Sequence, residues 1–189
     1  MSEGTGKREK NVKVKEQGGY YDIPERYEII DGVRYDFLAS PKIVHQRVSM
    51  NLVLGFSERC RLEGEIVYAP MDVHFDEDNI AEPDIIYIAN ENRSIIRDGF
   101  IFGVPDLFVE ILSEITGRRD KTIKKAMYQK FGVPEFWIVD PVHRTVDQFL
   151  LSNGKYELIA TFTDEDLISS PRIACLSIDL GKVFPLEEV

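Results

Sequence analysis

The sequence predicts a mixed α/β domain: a small central sheet with a helix on each side, a β-hairpin before it and an antiparallel extension after it. Three observations predict this. Apolar runs of strand length recur, "DIIYIA", "LFVEIL" and "EFWIVD", nearly unbroken as in strands covered on both faces. Two other stretches carry apolar residues at helical spacing: Val44, Val48, Leu52 and Phe56, then Ile123, Met127 and Phe131. Finally, Asp31–Gly32 and Asn153–Gly154 stand between short strand-like segments, where a hairpin needs residues that tolerate positive φ.

In chain order, residues 1–19 are polar, bear glycines and lack an apolar period, so they read as a flexible leader; residues 20–189 read as one domain. Two short strands, around Arg26–Ile30 and Val33–Leu38, flank the first turn. Ser40 and Pro41 suit the cap and first turn of a helix that ends near Gly64. Met71, Val73 and Phe75 then alternate with Asp72, His74 and Asp76, the pattern of a half-buried strand. Strands at "AEPDIIYIA" and Leu107–Leu112 follow, and "DKTIKKAMYQKFGV" is a helix that Gly132 stops. "PEFWIVDP" is another apolar strand, "TVDQFLL" and "KYELIATF" pair around the second turn, and a strand-like tail closes the domain.

The composition, 43% apolar and 30% charged over 189 residues, is that of a soluble globular chain with a proper core. No apolar run approaches the roughly 20 residues that span a bilayer, and the N-terminus lacks the apolar stretch of a secretory signal. Cys60 and Cys175 have neither zinc-site nor disulfide-framework spacing, so both are expected to be small core hydrophobes in a reducing cytoplasm. A formal charge of −10 argues against a surface that grips phosphate backbones everywhere. Basic residues concentrate in the leader and in "GRRDKTIKK", where any nucleic-acid contact is expected. The glycine-rich dinucleotide turn, the P-loop and the G-x-S-x-G elbow are absent, which sets those enzyme classes aside.

Glu110 is the residue that demands an explanation. It interrupts the apolar run Leu107–Leu112, and a carboxylate in an apolar interior costs several kcal/mol unless it is paired, protonated or metal-bound. Asp84 follows Pro83 and leads directly into another apolar strand. Two acids on neighbouring strands suit Mg²⁺, which takes one or two carboxylates and completes its shell with water and phosphate oxygens. A cation near the nucleophile would complete such a site. Position 112, on the same strand face as Glu110, is an inert leucine, but the next helix offers Lys124 beside its apolar stripe, with Asp120 and Tyr128 four residues to either side.

Taken in order and spacing, "YEIIDG", "SPKIVHQ", "EPDIIYI", "PDLFVEILSEIT" and "RRDKTIKKAMYQKFGVPEFWIVDP" resemble the Uma-type endonuclease family, within the PD-(D/E)XK or restriction-endonuclease-like superfamily. The resemblance runs from about Tyr20 to the C-terminus and is most specific from Pro105 to Pro141. It implies a restriction-endonuclease-like core, a central mixed β-sheet flanked by helices. It also implies a divalent-metal nuclease, with Mg²⁺ (or Mn²⁺ as a substitute) held by Asp84 and Glu110, and Lys124 replacing the lysine usual at position 112. By the same resemblance Glu28 matches an outer ligand or water-orienting acid, and His45 a phosphate-contacting or proton-transferring group. The expected substrate is a phosphodiester in nucleic acid, with double-stranded DNA favoured. A homodimer is expected because cutting both strands calls for two symmetric copies. Pro105–Asp106 is a decoy for the motif, since Asp106 shares a strand with Glu110.

Each residue also has an architectural reading. Glu110 could pair with a buried base, Asp84 could fix a turn, Lys124 could be solvated, and Tyr128 fits packing better than chemistry. The function that competes with a nuclease is a non-catalytic module that keeps the fold and binds nucleic acid or a protein.

Overall fold

The computed structural model describes residues 13–16, 19–22, 26–36, 41–113 and 120–185, the first two segments and residues 120 and 121 by their backbone alone. The chain opens with β1 (Lys13–Glu16) and β2 (Gly19–Asp22), paired antiparallel with Val14 opposite Tyr21. Part of the stretch expected as a structureless leader is therefore paired as strand. The β-favouring Val14, Tyr20 and Tyr21 supply a short ladder inside a polar segment.

β3 (Tyr27–Ile30) and β4 (Val33–Asp36) form the expected hairpin, and Asp31 and Gly32 both take positive φ, 50° and 75°. Residues 37–40, including the expected cap Ser40, lie outside the described residues. α1 (Ile43–Cys60) starts from Lys42 without a side-chain cap and buries His45, Val48, Leu52, Phe56 and Cys60 on one stripe.

The alternating stretch after it divides in two. β5 (Gly64–Tyr68) belongs to one sheet and β6 (Val73–Asp76) to another, separated by Pro70, which has no N–H for a ladder. β7 (Asn79–Ala81) returns on β6, and β8 (Ile85–Ala89) rejoins β5. A 3₁₀ turn (Asn90–Ile95), β9 (Ile96–Arg97) and β10 (Phe100–Phe102) precede β11 (Leu107–Ile111). A π-helical turn (Asp120–Lys124) runs into α2 (Lys125–Phe131), which Gly132 closes at φ 83°. β12 (Glu135–Asp140), β13 (Thr145–Ser152), β14 (Lys155–Thr163), β15 (Leu167–Ser169) and β16 (Ser177–Asp179) complete the chain.

The architecture is mixed α/β but larger in sheet than the sequence predicts. Two six-stranded sheets form, in the orders β4-β3-β7-β6-β10-β9 and β14-β13-β12-β11-β8-β5. The short strands β7, β9 and β10 carry too few residues for a periodicity to register. The antiparallel pair expected as an extension, β13 and β14, continues the second sheet outward from β12.

The two helices cover opposite faces of that second sheet, as expected. On one face Val109, Ile111, Trp137 and Val139 pack with Val48, Leu52 and Phe56 of α1 and with Ile168, Leu176 and Ile178 of the C-terminal segment. On the other, Phe108, Phe136 and Ile138 pack with Met127 and Tyr128 of α2 and with Ile30, Val73, Ala81 and Ile101 of the first sheet. Cys60 and Cys175 are joined as a disulfide, with Cα atoms 5.3 Å apart, which corrects their reading as separate thiols. A separation of 115 residues hides that proximity in the sequence, and the inference of a reducing compartment loses its basis. Among the described residues no helix is long and apolar enough to cross a membrane.

Candidate active site

The alternation of β11 sends Phe108 and Glu110 to the α2 face, where Glu110 is 3% exposed. Two donors meet one of its oxygens. Lys124 Nζ lies 2.5 Å from Glu110 Oε1, and the Tyr128 hydroxyl donates to the same atom at 2.6 Å. Lys124 and Tyr128 stand four residues apart, so the turn and α2 present both to one point. The Tyr128 ring is held between Phe108 and Phe136, with centroids 4.6 and 5.3 Å away.

Lys124 also reaches the first sheet. Its ammonium is 2.8 Å from Oε1 of Glu28, a fully buried residue of β3. The same oxygen accepts the backbone N–H of Glu82 at 3.0 Å, and the Glu82 carboxylate is held in turn by Arg26. One buried ammonium, itself 2% exposed, therefore bridges two carboxylates from two sheets. Removing one partner of such a cluster strands a buried charge, a loss of about 3–5 kcal/mol.

Asp84 lies just outside this cluster. β8 and β11 are neighbours, as the two-acid reading requires, and pair antiparallel with Ile85 opposite Val109; one step further, Asp84 comes level with Glu110. Asp84 Oδ2 accepts the N–H of Ile111 at 2.7 Å, which fixes the carboxylate against the end of β11. Its other oxygen is 3.3 Å from Nε2 of His45, buried in the first turn of α1.

The structure thus gathers Glu28, Glu110, Lys124 and Tyr128 into one cluster and sets the pair Asp84 and His45 beside it. Tyr128, which the sequence assigns to packing, hydrogen-bonds the central acid as well; its four-residue spacing from Lys124 is the signal for that contact. Glu82 gives no signal, because its contribution is a backbone N–H. The Asp120 side chain lies outside the described residues. The decoy Asp106 acts locally instead. Its Oδ2 accepts Ala89 N–H at 2.8 Å and Asn92 Nδ2 at 3.1 Å, tying down the turn after β8.

As donors, Asp84 and Glu110 are hard oxygen ligands on facing strand positions. Among the described residues no group of three or more His, Cys, Asp or Glu is arranged as a cage for a metal. Two carboxylates can bind a divalent cation that completes its shell with water and substrate oxygens.

Two comparisons give this arrangement a context. The fold resembles the crystal structure of a "putative nuclease belonging to DUF820" from Anabaena variabilis, with a TM-score of 0.70 at 20% identity over 86% of this chain and 93% of that one. No curated protein matches the chain. The Uma2 family model, described as "Putative restriction endonuclease", matches residues 19–181, which takes in every residue of the cluster. That match spans most of the sequence, and the chain therefore belongs to the Uma2 restriction-endonuclease family.

Proposed function

We propose that the chain is a divalent-metal-dependent endonuclease acting on DNA. The observation that carries this reading is the meeting of Lys124 with Glu110, beside Asp84 on the next strand. Family membership supports a hydrolase of phosphodiester bonds; metal and substrate are inferred from the residues. Asp84 and Glu110 would hold the cation. A divalent ion held by these two residues would supply activation of a water nucleophile and neutralisation of charge on the phosphodiester.

The chain's own groups supply the rest. The Lys124 ammonium offers positive charge where negative charge develops on the phosphorus oxygens. Tyr128 and the Ile111 N–H hold the two carboxylates in place, so that little reorganisation is needed. His45, whose Nε2 lies beside Asp84, would hold or pass a proton. In sequence Arg118, Arg119, Lys121 and Lys125 surround Lys124, a local basic run that favours a polyanionic substrate despite the overall charge of −10. Two copies in a homodimer would cut both strands of a duplex.

Calorimetric titration of Mn²⁺ and Mg²⁺ into the wild type, Asp84→Asn and Glu110→Gln tests the reading and needs no target sequence. Binding to the wild type and its loss in both variants is the expected result, followed by metal-dependent nicking of supercoiled plasmid. Absence of binding, repeated with a DNA duplex present, would shift the reading to a non-catalytic binding module. Cleavage of RNA in place of DNA would keep the chemistry and change the substrate.

A further inference from the structure

Resting on that metal-dependent reading, we infer that Lys124 and the divalent cation exchange places on Glu110, with Glu28 as the positioning residue that retains the displaced ammonium. The role that the resemblance implies for Glu28, outer ligand or water-orienting acid, becomes that of an anchor for the lysine.

Four features of the cluster lead there. First, Glu110 Oε1 holds the ammonium at 2.5 Å, closer than the 2.8 Å to Glu28, so the lysine's nearer contact is to the expected metal ligand. A cation drawn onto Glu110 must repel an ammonium that close, and little solvent is present to screen the two charges. Second, Tyr128 donates to the same oxygen, so Glu110 stays fixed when the lysine leaves it. Third, Glu28 is fully buried and held by the Glu82 N–H at 3.0 Å, an anchor that does not move with α2. Fourth, the ammonium already touches carboxylates from both sheets, so a small swing of one side chain frees Glu110 and keeps Glu28 without moving a strand.

On this view the buried lysine does two jobs in turn. It neutralises Glu110, which makes the buried acid tolerable in the folded chain. Once a divalent ion neutralises Glu110 in its place, the ammonium is released toward the substrate phosphate while Glu28 keeps it within reach. Glu28 touches neither metal nor substrate and acts through Lys124.

Simple electrostatics would also make metal affinity rise on loss of Lys124 and fall on loss of Glu28, so single variants do not discriminate. The double variant Glu28→Gln/Lys124→Met removes one charge of each sign and keeps the formal charge of the cluster. Calorimetry with Mn²⁺ on the folded double variant should show binding about tenfold or more tighter than wild type, a result the exchange requires and that loss of the ammonium beside Glu110 also favours by charge alone, so the movement of Lys124 itself is read separately. Equal or weaker binding overturns the exchange and leaves the metal site standing. If neither protein takes up Mn²⁺, with or without a DNA duplex, the exchange and the metal-dependent reading fall together.

A second measurement stands if the double variant does not fold. Wild-type protein isotope-labelled at lysine Cε is titrated with Mg²⁺ and followed by NMR, with the Lys124 signal assigned through Lys124→Arg. The Lys124 signal should move in step with saturation. A signal unmoved at full occupancy overturns the proposal.

Discussion

Two buried acids lie on neighbouring strands of one sheet and face opposite ways. Glu110 on β11 points to α2 and the first sheet, and Glu135 opens β12 and points to the α1 face. Each receives a hydrogen bond from an aromatic side chain, Tyr128 at 2.6 Å in one case and Trp137 Nε1 at 2.7 Å in the other. Their remaining partners differ in kind. Glu135 is completed by neutral donors, Gln148 Nε2 at 2.8 Å and the Ser170 hydroxyl at 2.5 Å, and Ser170 in turn accepts the N–H groups of Arg172 and Ile173. Glu110 also meets an ammonium. Burial of an acid therefore does not mark a reactive site. A carboxylate tied by neutral donors fastens one segment to another, here the C-terminal segment to the sheet, whereas Glu110 shares a buried ammonium with a second carboxylate from the other sheet.

The largest expected effect separates these two acids. Lys124→Met should destabilise the fold by about 3–5 kcal/mol, since two carboxylates lose their shared counter-ion. Glu135→Ala should also destabilise, by about 1–3 kcal/mol for each donor left without an acceptor. Urea denaturation reads both losses. Mn²⁺ binding then divides them: Glu135→Ala should leave it intact, and Glu110→Gln should abolish it. Loss of binding in Glu135→Ala at temperatures where it is folded would erase the distinction drawn between the faces.

Much of the Glu110 side is legible in the sequence, and almost none of the Glu135 side. Glu110 stands in the middle of an apolar run, so its burial and its oddity are visible together; Asp84 directly precedes an apolar strand and Lys124 borders a helical apolar stripe. Glu135 comes right after Pro134, where an acid reads as a strand end meeting solvent. Its partners Gln148 and Ser170 lie 13 and 35 residues away and belong to no local period. The same holds for the disulfide. Long-range pairing between elements of irregular spacing leaves no trace in a periodicity, which is also why β7, β9, β10 and the first sheet they build cannot be read from the chain alone. Glu28 and His45 are reached through resemblance alone, because each closes a contact with a residue more than thirty positions away.

The disulfide fastens the same C-terminal segment that Glu135 holds, which provides a second, smaller contrast. Cys60 ends α1, and Cys175 lies in the C-terminal segment packed against it, with Tyr87 Oη 3.9 Å from its sulfur. Reduction, or the Cys60→Ala/Cys175→Ala pair, should lower stability by about 2–4 kcal/mol. Calorimetric melting with and without reductant reads the change. Metal affinity should not follow, since β11, α2 and the start of α1 supply the groups that hold the Asp84 and Glu110 carboxylates. A parallel loss of metal binding would show that the C-terminal segment supports both faces.

The smallest effect is expected where β12 ends and its last acid meets water. Burial disfavours the charged form of Asp140, but the ring of His143 and the N–H groups of His143 and Val142 outweigh it and hold the carboxyl below the usual carboxylate range. A carboxylate whose pKa is lowered in the folded chain adds stability above the unfolded-state value and loses it as pH falls through the folded-state value. Asp140→Asn should therefore destabilise by a few tenths to about 1 kcal/mol near neutrality. The gap from wild type should close in acid, below the roughly pH 4 at which an ordinary aspartate protonates. Melting curves of the two proteins between neutral and acid pH test this. A gap that persists in acid would mean that Asp140 acts by shape and not by charge.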